Sequence, residues 1–218
     1  MPSCKRQLAV YLVTDRDLTR GRDLIESVLD AVQGGVTMVQ LREKHTPARE
    51  FTQLARQLMR ALAPYKIPLI INDRVDIALA VRASGAHIGQ SDIPAADARR
   101  LLRRAILGVS VQNADEAREA EKTGADYLGA GVAYATGTKT DYQGTIGAEG
   151  VRAICEAVRI PVAAIGGINA ANIGELAAIP RLAGASVVSA ILSAEDIRAA
   201  ARELRSLWDG APCRSQNT

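Results

Sequence analysis

Short apolar runs alternate with longer amphipathic stretches along almost the whole chain, and this alternation restricts the fold more than any other feature. The runs cover residues 8–14, 38–42, 69–72, 86–89, 106–110, 127–131, 162–165 and 186–189. Each is short, apolar on both faces and bounded by Gly, Pro, Asp or Asn, as buried parallel strands are. The segments between them, such as 48–62, 114–122 and 194–207, are rich in Arg, Glu, Ala and Leu. About eight strand–helix alternations in 218 residues favour a closed (β/α)₈ TIM barrel, an α/β fold in a single domain. A doubly wound open sheet is the alternative, but it usually needs fewer strands and carries a Gly-rich dinucleotide loop after the first. Here the first run leads into Thr14-Asp15-Arg16-Asp17, which is no such loop. No linker or composition shift interrupts the chain. The barrel is therefore expected over residues 1–209, with 210–218 as a disordered C-terminal tail.

Local signals punctuate the helices. Thr46-Pro47 is expected to supply an N-cap followed by proline at the first helical position. Asn113 opens another helix, with Asp115 and Glu116 in its first turn. Gly34-Gly35, Ser84-Gly85 and Thr123-Gly124 are expected helix ends at which glycine takes the left-handed cap. The Gly-Ala lead-ins at Gly85, Gly124 and Gly184 fit internal repetition of βα units.

Bulk properties narrow the partners. Aromatics are only 3% of residues, so Ala, Val, Ile and Leu must build the core, which suits buried parallel strands. The net charge of +3 is spread over scattered Arg residues and indicates no nucleic-acid partner. Cys4, Cys155 and Cys213 form neither a CxxC pair nor an even set, so no disulfide framework or zinc site is indicated. Cys155 falls in a helical stretch and reads as a packing residue. The apolar run at 8–13 is too short for a membrane helix or a signal peptide, so no membrane partner and a cytoplasmic location are expected. Ala- and Leu-rich helix faces serve core and subunit interface equally well, which leaves a homo-oligomer open.

In a barrel the C-terminal strand ends form the active face. The second strand ends in Gln40-Leu41-Arg42-Glu43-Lys44, and alternation puts Gln40, Arg42 and Lys44 on one side. Arg offers phosphate a fork and Lys a mobile point charge. The third strand ends in Asn72-Asp73 and the fourth leads to Asp92. Singly, each carboxylate reads as a helix cap, Asp92 standing two residues before Pro94. Together, among phosphate-binding neighbours, they suit Mg2+, which commonly uses one or two carboxylates plus substrate phosphates. His87, inside an apolar run, reads as a satisfied interior residue. Gln90 could orient a polar ring or simply line its strand end. Ser110 could donate to a phosphate oxygen or satisfy a local backbone group. A long loop at 132–144 follows the sixth strand and has the length of a lid. Its Thr136-Gly137-Thr138-Lys139 combines hydroxyls, glycine and a cation, which suits an anion without being a Walker loop. Small residues after strands seven and eight, Gly166-Gly167 and Val188-Ser189-Ala190, let backbone N–H groups approach a phosphate.

From about Tyr11 to Trp208 the chain resembles the thiamine-phosphate synthase family. The motifs that carry the likeness are Gln40-Leu41-Arg42-Glu43-Lys44, Ile71-Asn72-Asp73, His87-Ile88-Gly89-Gln90-Ser91-Asp92, Gly108-Val109-Ser110, Thr136-Gly137-Thr138-Lys139, Ile165-Gly166-Gly167-Ile168 and Val188-Ser189-Ala190-Ile191. Their order and spacing together are specific, although each is modest alone. The resemblance implies a transferase that joins 4-amino-2-methyl-5-hydroxymethylpyrimidine diphosphate to thiazole phosphate, releasing diphosphate. It implies that Gln40, Leu41, Arg42, Glu43, Lys44, Asn72, Ser110 and Lys139 bind the pyrimidine diphosphate. Arg42, Lys44, Ser110 and Lys139 would act on the leaving group. Thr136, Gly137, Thr138, Gly167, Val188 and Ser189 would bind the thiazole phosphate, and Asp73 and Asp92 a magnesium ion. One departure stands out: the family often has His two residues beyond the fifth-strand Ser, where this chain has Gln112. A related thiazole tautomerase, the runner-up, needs that His as its acid–base group, a role for which Gln has no useful pKa. A non-catalytic sensor of thiazole phosphate is a third alternative, but it would need neither the diphosphate residues nor the metal pair.

Overall fold

Eight parallel strands close into a ring in the computed structural model, which describes residues 7–137 and 144–211. The chain order is β1 (Val10–Val13), α1 (Leu24–Gln33), β2 (Met38–Leu41), α2 (Ala48–Leu62), β3 (Leu69–Asn72), α3 (Val75–Val81), β4 (Gly85–Ile88) and α4 (Ala95–Leu102). It continues through β5 (Ile106–Val111), α5 (Ala114–Lys122), β6 (Tyr127–Gly131), α6 (Gly147–Ala157), β7 (Val162–Ile165), α7 (Ile173–Ala177), β8 (Leu182–Val187), α8 (Ser189–Leu192) and α9 (Ile197–Asp209). Tyr11 of β1 pairs with Met38 of β2 on one side and Ser186 of β8 on the other, which closes the barrel. The expected TIM barrel is thus the observed fold.

Strand alternation divides the apolar residues into two layers. Val10, Leu12, Val39, Leu41, Leu69 and Ile71 face outward and pack with helix residues such as Phe51, Leu58, Leu204 and Trp208. Leu8, Tyr11, Met38, Ile70, Tyr127, Ala163 and Ala183 face inward and fill the barrel. On α2 the buried residues Phe51, Ala55, Leu58 and Leu62 form one stripe at helical spacing. Each buried Phe or Leu there contributes about 1.5–3 kcal/mol through removal from water. Cys155 is buried on α6 among the packing residues. Cys4 and Cys213 lie outside the described residues. Among the described residues no helix is long and apolar enough to cross a membrane.

Several local expectations need correction. Thr46 does not cap α2; the N-cap is Pro47, without a side-chain bond, because the Thr46 hydroxyl is engaged by the Glu43 carboxylate. Ser84-Gly85 is no helix end. Arg82, at φ 57°, takes the left-handed cap of α3, and Gly85 already belongs to β4. The eighth strand runs over Leu182–Val187, earlier than the apolar run at 186–189 suggested. Gly184, one of the Gly-Ala lead-ins, lies inside β8, where a Cβ would stand 1.6 Å from the Leu8 carbonyl oxygen. Close strand approach there requires the glycine. Asn113 does cap α5, accepting from the Asp115 and Glu116 amides, and Gly124 does adopt φ 97°. At the C-terminal end Gly210 closes α9 and Ala211 is buried, so both belong to the folded part; residues 212–218 lie outside the described residues.

Candidate active site

The C-terminal strand ends open into one cavity of about 320 Å³. Gln40, Arg42 and Lys44 line it from the end of β2, and Asn72 and Asp73 from β3. His87, Gln90 and Asp92 follow from β4, and Ser110 and Gln112 from β5. Thr136, Gly167, Val188 and Ser189 complete the opposite wall. Strand periodicity explains why two expected residues are not in that lining. Leu41 points outward and is wholly buried beneath the helices. Glu43 turns sideways, pairs with Arg16 at 3.3 Å and accepts from Thr46, with only 4% of its side chain exposed. Both support the wall without facing the cavity. Gly137 is described but is not part of the lining, and Thr138 and Lys139 lie outside the described residues.

Other lining residues escaped the sequence reading. Thr14, at the end of β1, accepts from the Arg42 amide at 3.0 Å and so fixes the turn that carries the guanidinium. Arg42 itself reaches Asp15 at 3.4 Å. Gly129, Gly131, Ile165 and Ser186 also line the cavity. Counting by two from the inward Tyr127 would have found Gly129 and Gly131. His87 is an interior residue as expected, 6% exposed, and its ring nitrogens lie 2.9 Å from the Tyr127 hydroxyl and 2.9 Å from Ser110 Oγ.

The two carboxylates are neighbours, and neither caps a helix. The N-caps of α3 and α4 are Arg74 and Pro94, and neither makes a side-chain cap bond. Asp92 Oδ2 instead accepts from the Gly89 amide at 2.7 Å, which braces its own turn. Asp73 sits at φ 60°, its N–H donates to the His87 carbonyl at 2.8 Å, and its carboxylate meets Lys44 Nζ at 3.3 Å. Burial pushes the Asp73 carboxyl above its ordinary range, and the hydrogen bond and charge of neighbouring Asp92 push it further, against the pull of Lys44. Among the described residues no group of three or more His, Cys, Asp or Glu side chains is placed to hold a metal. A carboxylate pair this close fits a hard divalent cation that completes its shell with substrate oxygens and water.

A stability prediction follows from that crowding. The folded carboxyl of Asp73 holds its proton above the unfolded value of 3.8, so stability falls as pH rises through the folded pKa. At pH 7, with chelator present, the ionised Asp73 therefore opposes folding. Asn tolerates the left-handed backbone. Asp73→Asn is expected to raise Tm at pH 7 in chelator, with the gain vanishing below about pH 3.8. A Tm equal to or below the wild type at pH 7 would contradict the crowding.

Across the cavity, Gly166 and Gly167 adopt φ 105° and 63° after β7. The base of the β6–α6 loop is pinned to this turn, Ala133 donating to the Ile165 carbonyl at 2.8 Å and Tyr134 to that of Gly166 at 3.0 Å. The Tyr134 hydroxyl reaches Glu175 of α7 at 2.6 Å.

Two cations beside two carboxylates at the mouth of a parallel barrel equip an enzyme for phosphorylated substrates. Residues 10–191 match the family model described as thiamine monophosphate synthase, and the chain belongs to that family. It is 48% identical over 202 residues to the thiamine-phosphate synthase of Syntrophomonas wolfei subsp. wolfei, covering 92% of this chain and 96% of the relative. It is 50% identical over 202 residues to that of Moorella thermoacetica, again covering 92% and 96%. Among solved structures, thiamine phosphate pyrophosphorylase from Pyrococcus furiosus superposes with a TM-score of 0.87 at 41% identity, covering 95% of this chain and 98% of that one.

Proposed function

We propose that the chain condenses 4-amino-2-methyl-5-hydroxymethylpyrimidine diphosphate with thiazole phosphate to give thiamine phosphate and diphosphate. Beyond family membership, the observation that carries this reading is the juxtaposition of Lys44, Asp73 and Asp92 in the cavity that Arg42 and Ser110 also line. The C–O bond of the pyrimidine substrate breaks with both electrons leaving on diphosphate, and the thiazole nitrogen lone pair then forms the C–N bond. No protein nucleophile is needed, and the pyrimidine amino group can supply electrons to the transient cation. Held by Asp73 and Asp92, Mg2+ would supply positive charge against the leaving diphosphate. Arg42 and Lys44 add preorganised charge there and Ser110 a hydrogen bond, and the family motif assigns Lys139 to the same diphosphate. Asn72 and Gln40 hold the pyrimidine diphosphate from the neighbouring strand ends. Thr136, Gly167, Val188 and Ser189 serve the thiazole phosphate from the opposite wall, and Gly137 and Thr138 are assigned to the same ligand by the family motif. The β6–α6 loop excludes water that would otherwise trap the cation.

The test measures thiamine phosphate and diphosphate formed from both substrates, with Mg2+ or with chelator. Product is expected only with Mg2+, and Lys139→Ala is expected to lower kcat about a hundredfold. Turnover indifferent to chelator would remove the metal from the scheme. A thiazole that is isomerised without condensation would replace the synthase with a tautomerase. Gln112 on the cavity wall, in place of an acid–base His, disfavours that outcome.

A further inference from the structure

Behind Ser110 a run of hydrogen bonds crosses the barrel interior from β2 to β5. Gln40 Nε2 donates to the Tyr11 hydroxyl at 2.6 Å, and the Tyr11 and Tyr127 hydroxyls are 2.8 Å apart. The Tyr127 hydroxyl lies 2.9 Å from His87 Nδ1, and His87 Nε2 lies 2.9 Å from Ser110 Oγ. All but the last residue are at least nine-tenths buried, where each such bond is strengthened by the low dielectric. The barrel makes room for them. A Cβ on Gly108 would stand 2.2 Å from Tyr127 Cζ and 2.4 Å from His87 Nδ1, and one on Gly129 would stand 3.1 Å from His87 Cε1. Strands β5 and β6 thus leave out two interior side chains, a weakness in a strand, to admit two polar rings.

We infer that this run is proton-ordered, that it makes Ser110 a hydrogen-bond donor toward the cavity, and that Tyr11, Tyr127 and His87 are positioning residues that act through it. A phenol has one proton, and a neutral imidazole has one N–H and one acceptor nitrogen. The Gln40 amide donates to the Tyr11 oxygen, so Tyr11 passes its own proton toward Tyr127. Tyr127 donates to His87 Nδ1, the imidazole carries its proton on Nε2, and Nε2–H donates to Ser110 Oγ. The proton of Ser110 is then directed at the cavity. Both orders give each of the four contacts one donor, but in this one the Tyr11 oxygen accepts a single bond from within the run and its proton stays in the run. The reverse order places two donors on the Tyr11 oxygen, turns the Tyr11 proton out of the run, and offers the cavity only a Ser110 lone pair. A Ser110 donor favours an anionic oxygen, and on the proposed function that oxygen belongs to the pyrimidine diphosphate. Gln40 lines the same cavity, so the order set at one end of the substrate fixes the hydroxyl at the other.

Two measurements test this, one of them independent of any reaction. The chain has two histidines, and His45 is exposed while His87 is buried, so their side-chain ¹⁵N resonances are separable by a His45→Gln variant. At neutral pH the folded protein is expected to show His87 protonated at Nε2 and bare at Nδ1. A proton on Nδ1, in either the neutral or the cationic ring, overturns the ordering. In turnover, Tyr127→Phe keeps the ring and removes the oxygen that joins Tyr11 to His87. It is expected to lower kcat about tenfold while leaving the KM for thiazole phosphate unchanged. In a Ser110→Ala background the same change should cost less than about twofold, because the effect passes through Ser110. Equal losses in both backgrounds would make Tyr127 a packing residue and overturn the inference. An Nε2–H ring in a protein that forms no thiamine phosphate would support the ordering while refuting the reaction.

Discussion

Asp92→Ala is expected to lower kcat/KM for the condensation about a thousandfold, equivalent to about 4 kcal/mol of transition-state stabilisation. Asp92 is half of the carboxylate pair, and no third acidic, His or Cys group among the described residues is placed to substitute for it. The alanine variant also loses the acceptor for the Gly89 amide, a 2.7 Å bond that holds the turn. Asp92→Asn separates the two roles, since its carbonyl oxygen still accepts from Gly89 but carries no charge. Its Tm in chelator should be at or above the wild type, since the charge that crowds Asp73 is gone, while its kcat/KM falls nearly as far as that of alanine. Initial rates across a Mg2+ titration, with Tm measured in parallel, check both. Wild-type turnover in the asparagine variant would remove Asp92 from the leaving-group site.

Gly167→Ala is expected to lower kcat/KM for thiazole phosphate about a hundredfold and Tm by about 5–10 °C, since combined strain and clash reach about 2–3 kcal/mol. The backbone contributes first, because φ 63° is a left-handed conformation that costs alanine about 1–2 kcal/mol. The clash adds to that strain. A Cβ would stand 2.5 Å from the Ala135 carbonyl oxygen and 2.7 Å from that of Tyr134. Those are backbone atoms that no rotamer change can clear. Relief means shifting the β6–α6 loop, whose base is tied to Ile165 and Gly166 by the two amide bonds at 2.8 and 3.0 Å. Gly174→Ala is the control, with open space at its Cβ position and helical surroundings in α7. It should be neutral or slightly stabilising. Substrate saturation curves and thermal melts of the two variants read the difference, and matching behaviour would show that the Gly166-Gly167 turn holds nothing in place.

The barrel was legible because periodicity survives without tertiary information. Apolar runs such as 69–72 and 162–165 coincide with β3 and β7, and Asn113 and Gly124 behave as their types dictate. Local signals failed where tertiary contacts compete with them. The Thr46 hydroxyl prefers the Glu43 carboxylate to its own helix, and Arg82 takes a left-handed cap that the nearby Gly85 cannot, being held in β4. The contiguous motif Gln40-Leu41-Arg42-Glu43-Lys44 likewise resolves into residues of different duty. Gln40, Arg42 and Lys44 line the cavity, while Leu41 is covered by helices and Glu43 braces Arg16 and Thr46.

By itself, then, the sequence determined the (β/α)₈ architecture, the strand ends that supply Arg42, Lys44, Asp73, Asp92 and Ser110, and the family motifs they belong to. The architecture and the strand ends are properties of spacing along one chain, which hydrophobic periodicity carries, while the motifs rest on residue identity and order through the family resemblance. Only the tertiary structure decided that Asp73 and Asp92 crowd each other instead of capping helices, and that a buried run of bonds joins Gln40 to Ser110. Tyr11 and Tyr127 stand 116 residues apart, and closure of the barrel brings their hydroxyls to 2.8 Å. Contacts of that kind depend on how strands are staggered around a ring, which no local pattern of residue types encodes.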